Sequence, residues 1–200
     1  MQRLFPSVFE QYNLLNHPFY VAWNEGRLTR EQMSVYASEY GRFIQLISEG
    51  WQAVGEAEIA KEEGEHHLLW KSFGSSLDAN KSNTPNAVPE VDELVFSVKK
   101  SFQSHATALG ALYAFEAQQP ATASSKLQGL KDHYTAWRAD ETYFRVHESD
   151  FEEPALLEGK INSLSTEHHF AAARACSDTC RLLWNALTGV MNHADIACSG

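Results

Sequence analysis

Residues 29–47, TREQMSVYASEYGRFIQLI, carry the clearest helical signal in this chain. Thr29 and Gln32 have the spacing of a capping box, in which the two side chains satisfy free backbone N–H groups of the first turn. Apolar residues then recur three and four positions apart, the period of one face of an α-helix. These residues are Met33, Tyr36, Tyr40, Phe43, Ile44 and Ile47. The stretch predicts a capped amphipathic helix that continues to about residue 54.

The same apolar period appears on both sides of this stretch. It predicts further helices at about 5–15, 19–25, 56–73 with a kink near Gly64, 91–119 ending at Pro120, 124–134, 140–150 and 165–190. Residues 74–90, GSSLDANKSNTPNAVPE, are predicted to form a loop, and residues 192–200 to fray. No strand-like alternation and no internal repeat is present. The chain is therefore predicted to be a single all-α domain over residues 1–200, built as a helical bundle.

Composition and charge exclude several classes of function. The 200 residues carry a formal net charge of −10, and Lys99–Lys100 is the only adjacent basic pair, which argues against a nucleic-acid partner. No apolar run reaches the length of a membrane span, and the N-terminus does not resemble a secretory signal. Three cysteines without a CxxC spacing favour a reducing, cytoplasmic location. Cys176 and Cys180 are interpreted as core residues in preference to metal ligands.

Acidic and histidine side chains cluster in the segment EEGEHH. Glu62 and His66 are four residues apart, and Glu63 and His66 have the Glu-x-x-His spacing of di-iron helical bundles. Either pair places two metal ligands on one helix face. The alternative interpretation is an exposed acidic turn.

Two further segments contain candidate ligands. Glu116 lies in the apolar run LGALYAFEAQQP, where a buried carboxylate is costly unless a metal or a cation such as Lys126 compensates it. His147 and Asp150 lie three residues apart in YFRVHESD, with Glu153 following. The alternatives are an outward-facing Glu116 and a solvated helix end at residue 147. Several helices, each with one acid or one acid–histidine pair, are typical of carboxylate-bridged metal sites.

A family resemblance covers roughly residues 5–190. The segment LLNHPFYVAWNEGRLTREQMSVYASEY resembles the N-terminal signature of heme-oxygenase-like proteins of the TenA/PqqC superfamily. The segments ALGALYAFEAQQPATASSKLQGLKDHY and YFRVHESD resemble the CADD-like branch of para-aminobenzoate synthases, and LLWNALTGV resembles the closing helix of the superfamily.

The resemblance implies a bundle of about seven helices around a dinuclear iron or iron–manganese site that activates O2. The ligands that it implies are Glu62, His66, Glu116, His147, Asp150 and Glu153. It also implies that Tyr20 or Tyr36 of the protein itself supplies the aminobenzoate ring and that Lys126 donates the amino group. We further expect a homodimer that acts on a self-derived or small-molecule substrate.

The sequence departs from the family's ligand pattern in three ways. The first glutamate and histidine are usually seven residues apart, whereas Glu62 and His66 are four apart. The usual motif is His-x-x-x-Asp-x-x-His, whereas this chain reads His147-x-x-Asp150-x-x-Glu153, so a glutamate replaces the last histidine. Pro154 directly after it is expected to disturb a continuing helix. These departures leave two alternatives open: a metal-free enzyme of the PqqC or TenA kind, and a non-catalytic interaction protein with a degenerate metal site.

Overall fold

The computed structural model describes residues 4–79 and 88–197, and all of its regular structure in these ranges is helical. Short 3-10 turns, including Leu14–Asn16 and Thr135–Trp137, connect longer elements. The α-helices are α1 Pro6–Gln11, α2 Pro18–Asn24, α3 Arg30–Ile44, α4 Ile47–Ala53, α5 Ala57–Ser76, α6 Pro89–Ser101, α7 His105–Glu116, α8 Gln119–His133, α9 Thr142–His147, α10 Glu152–Asn162 and α11 Thr166–Ala197. The prediction of an all-α helical bundle is confirmed.

Side-chain caps fix where α2 and α3 begin. The predicted capping box is present: Gln32 N donates to Thr29 Oγ1 at 3.1 Å, and Thr29 N donates to Gln32 Oε1 at 2.8 Å. His17 caps α2, since its Nδ1 accepts from Phe19 N at 3.0 Å and its Nε2 lies 2.9 Å from Thr188 Oγ1 of α11. These caps position Tyr20 and Tyr36 on their helices.

Burial of the His17 ring makes the stability of the bundle depend on pH. Burial lowers the pKa of His17 from 6.5 to about 4. Because the unfolded chain binds this proton more readily, the stabilising contribution is present above pH 6.5 and is lost as pH falls towards 4. We expect His17→Asn, which keeps a cap, to remove roughly 2 kcal/mol of this acid sensitivity. Urea unfolding of both proteins at pH 7 and pH 4.5 measures it, and equal pH dependence would contradict the assignment.

Several helix boundaries differ from the predictions. The helix expected to continue to about residue 54 ends at Ile44, and α4 follows over Ile47–Ala53. Helix α5 runs through Gly64 without interruption, because an isolated glycine is tolerated inside a helix. The helix expected over 91–119 divides into α6 and α7 at residues 102–104, where Ser104 is extended. Pro120 and Pro154 lie in the first turns of α8 and α10, where a missing N–H breaks no helical hydrogen bond. A new helix therefore begins at each of these prolines.

The centre of the bundle is the pair α7 and α11. Every residue of α7 from Ala108 to Glu116 is buried. A Cβ at Gly110 would collide with the backbone of Ala172, so glycine permits the close approach of the two helices. Cys176 and Cys180 are buried free thiols in this core, as interpreted from the sequence. Glu116 consequently projects from the most buried helix of the fold.

The predictions for the C-terminal end and for the loop at 74–90 differ in part from the structure. Helix α11 continues to Ala197, beyond the expected fraying point at residue 192, and residues 198–200 lie outside the described residues. The first three residues of the loop expected at 74–90 belong to α5, which ends at Ser76. Residues 80–87 of this loop also lie outside the described part. Among the described helices, none is both long and apolar enough to cross a membrane.

Candidate metal centre

Helices α5 and α9 bring together a carboxylate and two histidines. One ligand atom each of Glu63, His66 and His147 lies within 4.8 Å of the others. Glu63 Oε1 is 2.6 Å from His66 Nδ1 and 3.5 Å from His147 Nε2. Glu63 and His147 are buried, and His66 is partly exposed. This set matches the nitrogen and oxygen donors that iron and manganese accept in proteins.

The hydrogen bonding of His147 leaves one ring nitrogen free for a ligand. Its Nδ1 lies 2.7 Å from the carbonyl oxygen of Tyr143, an interaction that requires a proton on Nδ1. In the neutral ring, Nε2 then carries a lone pair. This buried nitrogen has no hydrogen-bond partner among the described residues, although it faces the Glu63 carboxylate. A lone pair aimed at a carboxylate is unfavourable without a proton or cation between them, and metal-ligating histidines commonly have this backbone-bonded arrangement.

Two more buried carboxylates lie close enough to influence Glu63. Burial raises the pKa of Glu116 well above its usual range, and the charges of Glu153 and Glu63 add to this. Burial and the Glu63 charge also raise the pKa of Glu153 to about 9. Among the described residues, the Glu116 side chain has one hydrogen-bond partner, Trp51, whose Nε1 donates to Oε1 at 3.3 Å. A divalent cation would relieve the repulsion between these acids, so the residues present fit a metal centre.

Glu63 itself stays ionised because of the histidines. Burial would raise its pKa, but the interactions with His147 and His66 outweigh burial and lower the pKa to about 2. The hydrogen bond to Glu63 in turn raises the pKa of His66. Without metal, the raised pKa of His66 favours a proton on its ring that balances the Glu63 charge.

The prediction of Glu62 as the inner carboxylate needs correction. Glu62 is exposed, and Glu63 occupies the inward position. The buried side of the unkinked α5 passes through Ala60, Glu63, Trp70 and Phe73. Glu62 lies about 100° away from Glu63 around the helix, which carries it out of this face.

The other predicted ligands have different surroundings. Asp150 is half-buried in the turn before α10, where its Oδ1 accepts from Glu152 N at 3.2 Å and Glu153 N at 3.4 Å. The Asp150 carboxylate therefore accepts from the first two backbone N–H groups of α10, one residue ahead of the N-cap Phe151. Glu116 of α7 and Glu153 of α10 are buried and close enough for the Glu63 charge to raise the pKa of both. Metal ligation by these three residues stays a prediction.

A second cluster surrounds the buried amine of Lys126 on α8. Its Nζ lies 5.3 Å from the ring centroid of Tyr20, 5.7 Å from that of Tyr36 and 5.2 Å from that of Phe144. Burial lowers the pKa of Lys126 to about 7. The hydroxyl of Tyr36 is also buried without a hydrogen-bond partner in the described part of the chain. The fold thus brings together the three residues expected to have catalytic roles.

Aromatic side chains connect the two clusters. The Tyr143 ring lies 4.3 Å from that of His147 and 4.9 Å from that of Trp70, and Trp70 lies 5.5 Å from Tyr36. Gln119 Nε2 donates to Tyr143 Oη at 2.8 Å. These connecting residues were missed in the sequence, although Trp70 and Tyr143 lie in the segments HHLLW and YFRVH beside candidate ligands. Their helical spacing from those ligands is the signal that could have identified them.

This arrangement defines the class of the protein: a heme-oxygenase-like helical bundle with a buried carboxylate–histidine cluster. A heme-oxygenase-like domain of unknown function from Shewanella denitrificans superposes with a TM-score of 0.78 at 16% identity, covering 98% of this chain and 94% of that one. A TenA homologue from Pseudomonas syringae pv. tomato gives a TM-score of 0.74 at 13% identity, covering 93% and 90%. The heme-oxygenase-like fold is confirmed.

Sequence comparison identifies the family within this class. No protein-family model matches the chain. A 4-aminobenzoate synthase from Nitrosomonas europaea is 30% identical over 96% of this chain and 92% of its own length. A 4-aminobenzoate synthase from Chlamydia pneumoniae is 25% identical over 96% of this chain and 95% of its own length. The chain belongs to the 4-aminobenzoate synthase family.

Proposed function

We propose that this protein forms 4-aminobenzoate from one of its own tyrosine rings, in an O2-dependent reaction at a dinuclear iron or iron–manganese centre. The observation that carries the proposal is the burial of the Lys126 amine between the Tyr20 and Tyr36 rings. The relatives named 4-aminobenzoate synthase support the product. The expected location is the cytoplasm, and the expected assembly is a homodimer.

The carboxylate–histidine cluster would hold the metal. Glu63, His66 and His147 would bind one ion, with Glu116 and Glu153 as the additional carboxylates that a second ion requires. When bound, the metal would supply the activation of O2. The free Nε2 of His147 and the three buried acids favour this proposal over a metal-free enzyme of the PqqC or TenA kind.

The environment of Lys126 suits a nitrogen donor. An ammonium group has no lone pair, so a lysine must be deprotonated before its nitrogen can bond to carbon. Burial, which lowers the pKa of Lys126 to about 7, keeps a large share of the amine neutral at neutral pH. In the described part of the chain no carboxylate forms an ion pair with Lys126 and restores its charge.

The chemistry of the product defines what the site must do to a tyrosine. The Cα–Cβ bond must break, Cβ must be oxidised to a carboxyl group, and the phenolic oxygen must be replaced by nitrogen. O2 is the oxidant, and the amine of Lys126 is the nitrogen source: a ring C–N bond forms as the phenolic oxygen leaves as water, and the Cε–Nζ bond of the lysine must then break, with Cε oxidised to an aldehyde that stays on the side chain. Both tyrosine rings are buried beside this amine, so bulk water is kept from the ring during the exchange.

The identity of the consumed tyrosine is tested by substitution. We expect either Tyr20→Phe or Tyr36→Phe to abolish 4-aminobenzoate formation, because a phenylalanine ring has no phenolic oxygen to replace. Tyr12→Phe, at a partly exposed tyrosine of the N-terminal region, is the matched control and should leave formation unchanged. The measurement is growth of a bacterial host that requires aminobenzoate, with mass spectrometry of the product from ring-labelled tyrosine. Peptide mapping of the spent protein then locates the altered residue.

One pattern of growth among the variants would exclude a self-derived origin of the ring. If Tyr20→Phe, Tyr36→Phe and Lys126→Ala proteins all support growth as well as the unsubstituted protein, the ring and nitrogen come from elsewhere. Unlabelled product from ring-labelled protein would show that the ring, at least, has another source.

A further inference from the structure

One face of the long helix α11 is accessible to solvent and lies outside both clusters. Along this face, residues three and four positions apart follow one another, as they do on a single side of an α-helix. We call these residues the α11 stripe: Glu167, Phe170, Arg174, Asp178, Arg181 and Asn185. Phe170 is 70% exposed, so most of a large apolar ring remains in water. The proposed chemistry gives this surface no role.

The charged groups at the centre of the α11 stripe are unpaired. Within residues 4–79 and 88–197, no ion pair includes Arg174, Asp178 or Arg181. These three residues and Phe170 also border a groove of about 740 Å³. The neighbouring helices therefore leave this side of α11 uncovered, and its charges are available to a partner.

The balance of charge on the α11 stripe favours a second copy of the chain as that partner. The chain has a formal net charge of −10, so two copies repel each other unless they meet on a face without excess negative charge. The stripe carries two acidic residues, Glu167 and Asp178, and two basic residues, Arg174 and Arg181. Its net charge is zero, and charges of opposite sign alternate along it.

The order of residues at the centre of the stripe is complementary to itself. Consider two copies of α11 packed antiparallel about a two-fold axis at the level of Cys176. Arg174 lies two residues before this level and Asp178 two residues after it. The two-fold axis therefore brings Arg174 of each copy opposite Asp178 of the other. One contact forms two identical ion pairs.

The outer positions of the stripe match in the same register. Phe170 lies six residues before Cys176 and Arg181 five residues after it, and the two are about 20° apart around the helix. The phenyl ring of one copy therefore lies beside the guanidinium of the other, as in a cation–π contact. Glu167 and Asn185 are both nine residues from Cys176, so a carboxylate meets an amide donor. The alternating spacing of three and four residues suits two helices packed at a small crossing angle.

We propose that two copies of this chain associate through the α11 stripe, antiparallel about a two-fold axis at Cys176. Two Arg174–Asp178 ion pairs and two Phe170–Arg181 contacts hold this interface. The proposal assigns a surface to the homodimer expected under the proposed function, and it rests on that expectation only for the number of copies. A different protein as partner would not require a stripe whose residues match in both directions.

Sedimentation equilibrium of the full chain measures the Kd of the dimer and tests the register by charge reversal. We expect Arg174→Asp to raise this Kd at least about tenfold, because it turns two attractions into two repulsions. Asp178→Arg should weaken the dimer similarly, although it lowers the net negative charge of each chain. The protein with both substitutions should dimerise again, because each ion pair is restored with its charges exchanged. Lys131→Asp, at an exposed lysine of α8, makes the same change in net charge as Arg174→Asp and should leave the Kd unchanged.

A mixture of the two single variants tests the same contact between different chains. The Arg174→Asp chain has only acidic groups at the two central positions, and the Asp178→Arg chain has only basic groups. Each should dimerise weakly alone, and native mass spectrometry of the mixture should detect a one-to-one heterodimer. A chain that stays monomeric, a dimer unaffected by both reversals, or a mixture that forms no heterodimer would overturn the proposal. Unlabelled product from ring-labelled protein would overturn the proposed origin of the ring and leave this interface unaffected.

Discussion

Glu116→Gln is expected to make the metal-free protein more stable and to abolish its stabilisation by metal. Burial, with the charges of Glu153 and Glu63, raises the pKa of Glu116 far above its usual range. When folding raises the pKa of a carboxyl group, the protein loses stability as pH rises above the unfolded-state pKa of 4.5, because the unfolded chain releases the proton more easily. Glutamine has the same shape, keeps an acceptor for Trp51 Nε1 and carries no such proton.

The size of both effects can be measured by thermal unfolding. At pH 7 in a chelator, the variant should be the more stable protein, and this advantage should vanish near pH 4. Mn(II) at about 100 times its Kd should stabilise the unsubstituted protein by about 2.7 kcal/mol and the variant far less. The loss of affinity should exceed the 10- to 100-fold that even outer partners of a metal ligand contribute.

Glu62→Gln is the matched control for this experiment. Glu62 lies next to the inward Glu63 on the same helix but is exposed, so its substitution should change neither the metal-free stability nor the response to Mn(II). If Glu62→Gln abolishes the metal response and Glu116→Gln does not, the assignment of the inward carboxylates is wrong. A variant at Glu116 that is less stable without metal would contradict the repulsion argument.

Most of the fold could be predicted because the sequence signals for its helices lie within short segments. The capping box at Thr29 and Gln32 and the apolar period after it specify a helix whatever surrounds them. In the sequence, Pro120 and Pro154 indicate helix ends, yet each also fits the first turn of a new helix. The choice between an end and a beginning depends on packing against neighbouring helices, which no short segment contains.

The candidate site was less predictable because it depends on helix rotation. Glu62 and Glu63 are equally good ligands in sequence, and only the burial of Trp70 and Ala60 on α5 decides which one faces inward. The partnership of Lys126 with Tyr20 and Tyr36 joins positions far apart in the chain, so it was available only through the family resemblance. The free Nε2 of His147 required the distance to the Tyr143 carbonyl, which spacing alone does not supply.

Lys126→Met is expected to abolish 4-aminobenzoate formation in a protein that folds more stably than the unsubstituted chain. The amine is fully buried, and burial lowers its pKa from 10.5 to about 7. When folding lowers the pKa of a basic group, the loss of protein stability is greatest below the folded-state pKa, here about 7. This loss becomes smaller as pH rises towards the unfolded-state pKa of 10.5. Methionine fills similar space without charge, so the gain should be roughly 3 kcal/mol at pH 7 and should shrink by pH 9.5.

Isotopic labelling connects this stability change to the chemistry. Protein made with nitrogen-15 lysine should give nitrogen-15 4-aminobenzoate, and Lys126→Met should give none. Lys126→Arg should also give none, because a guanidinium stays protonated and cannot donate its nitrogen. Lys131→Met, at an exposed lysine five residues further along α8, should keep both the activity and the label. Unlabelled product from the labelled protein would remove Lys126 as the donor, whereas labelled product from Lys126→Met would assign the nitrogen to another lysine.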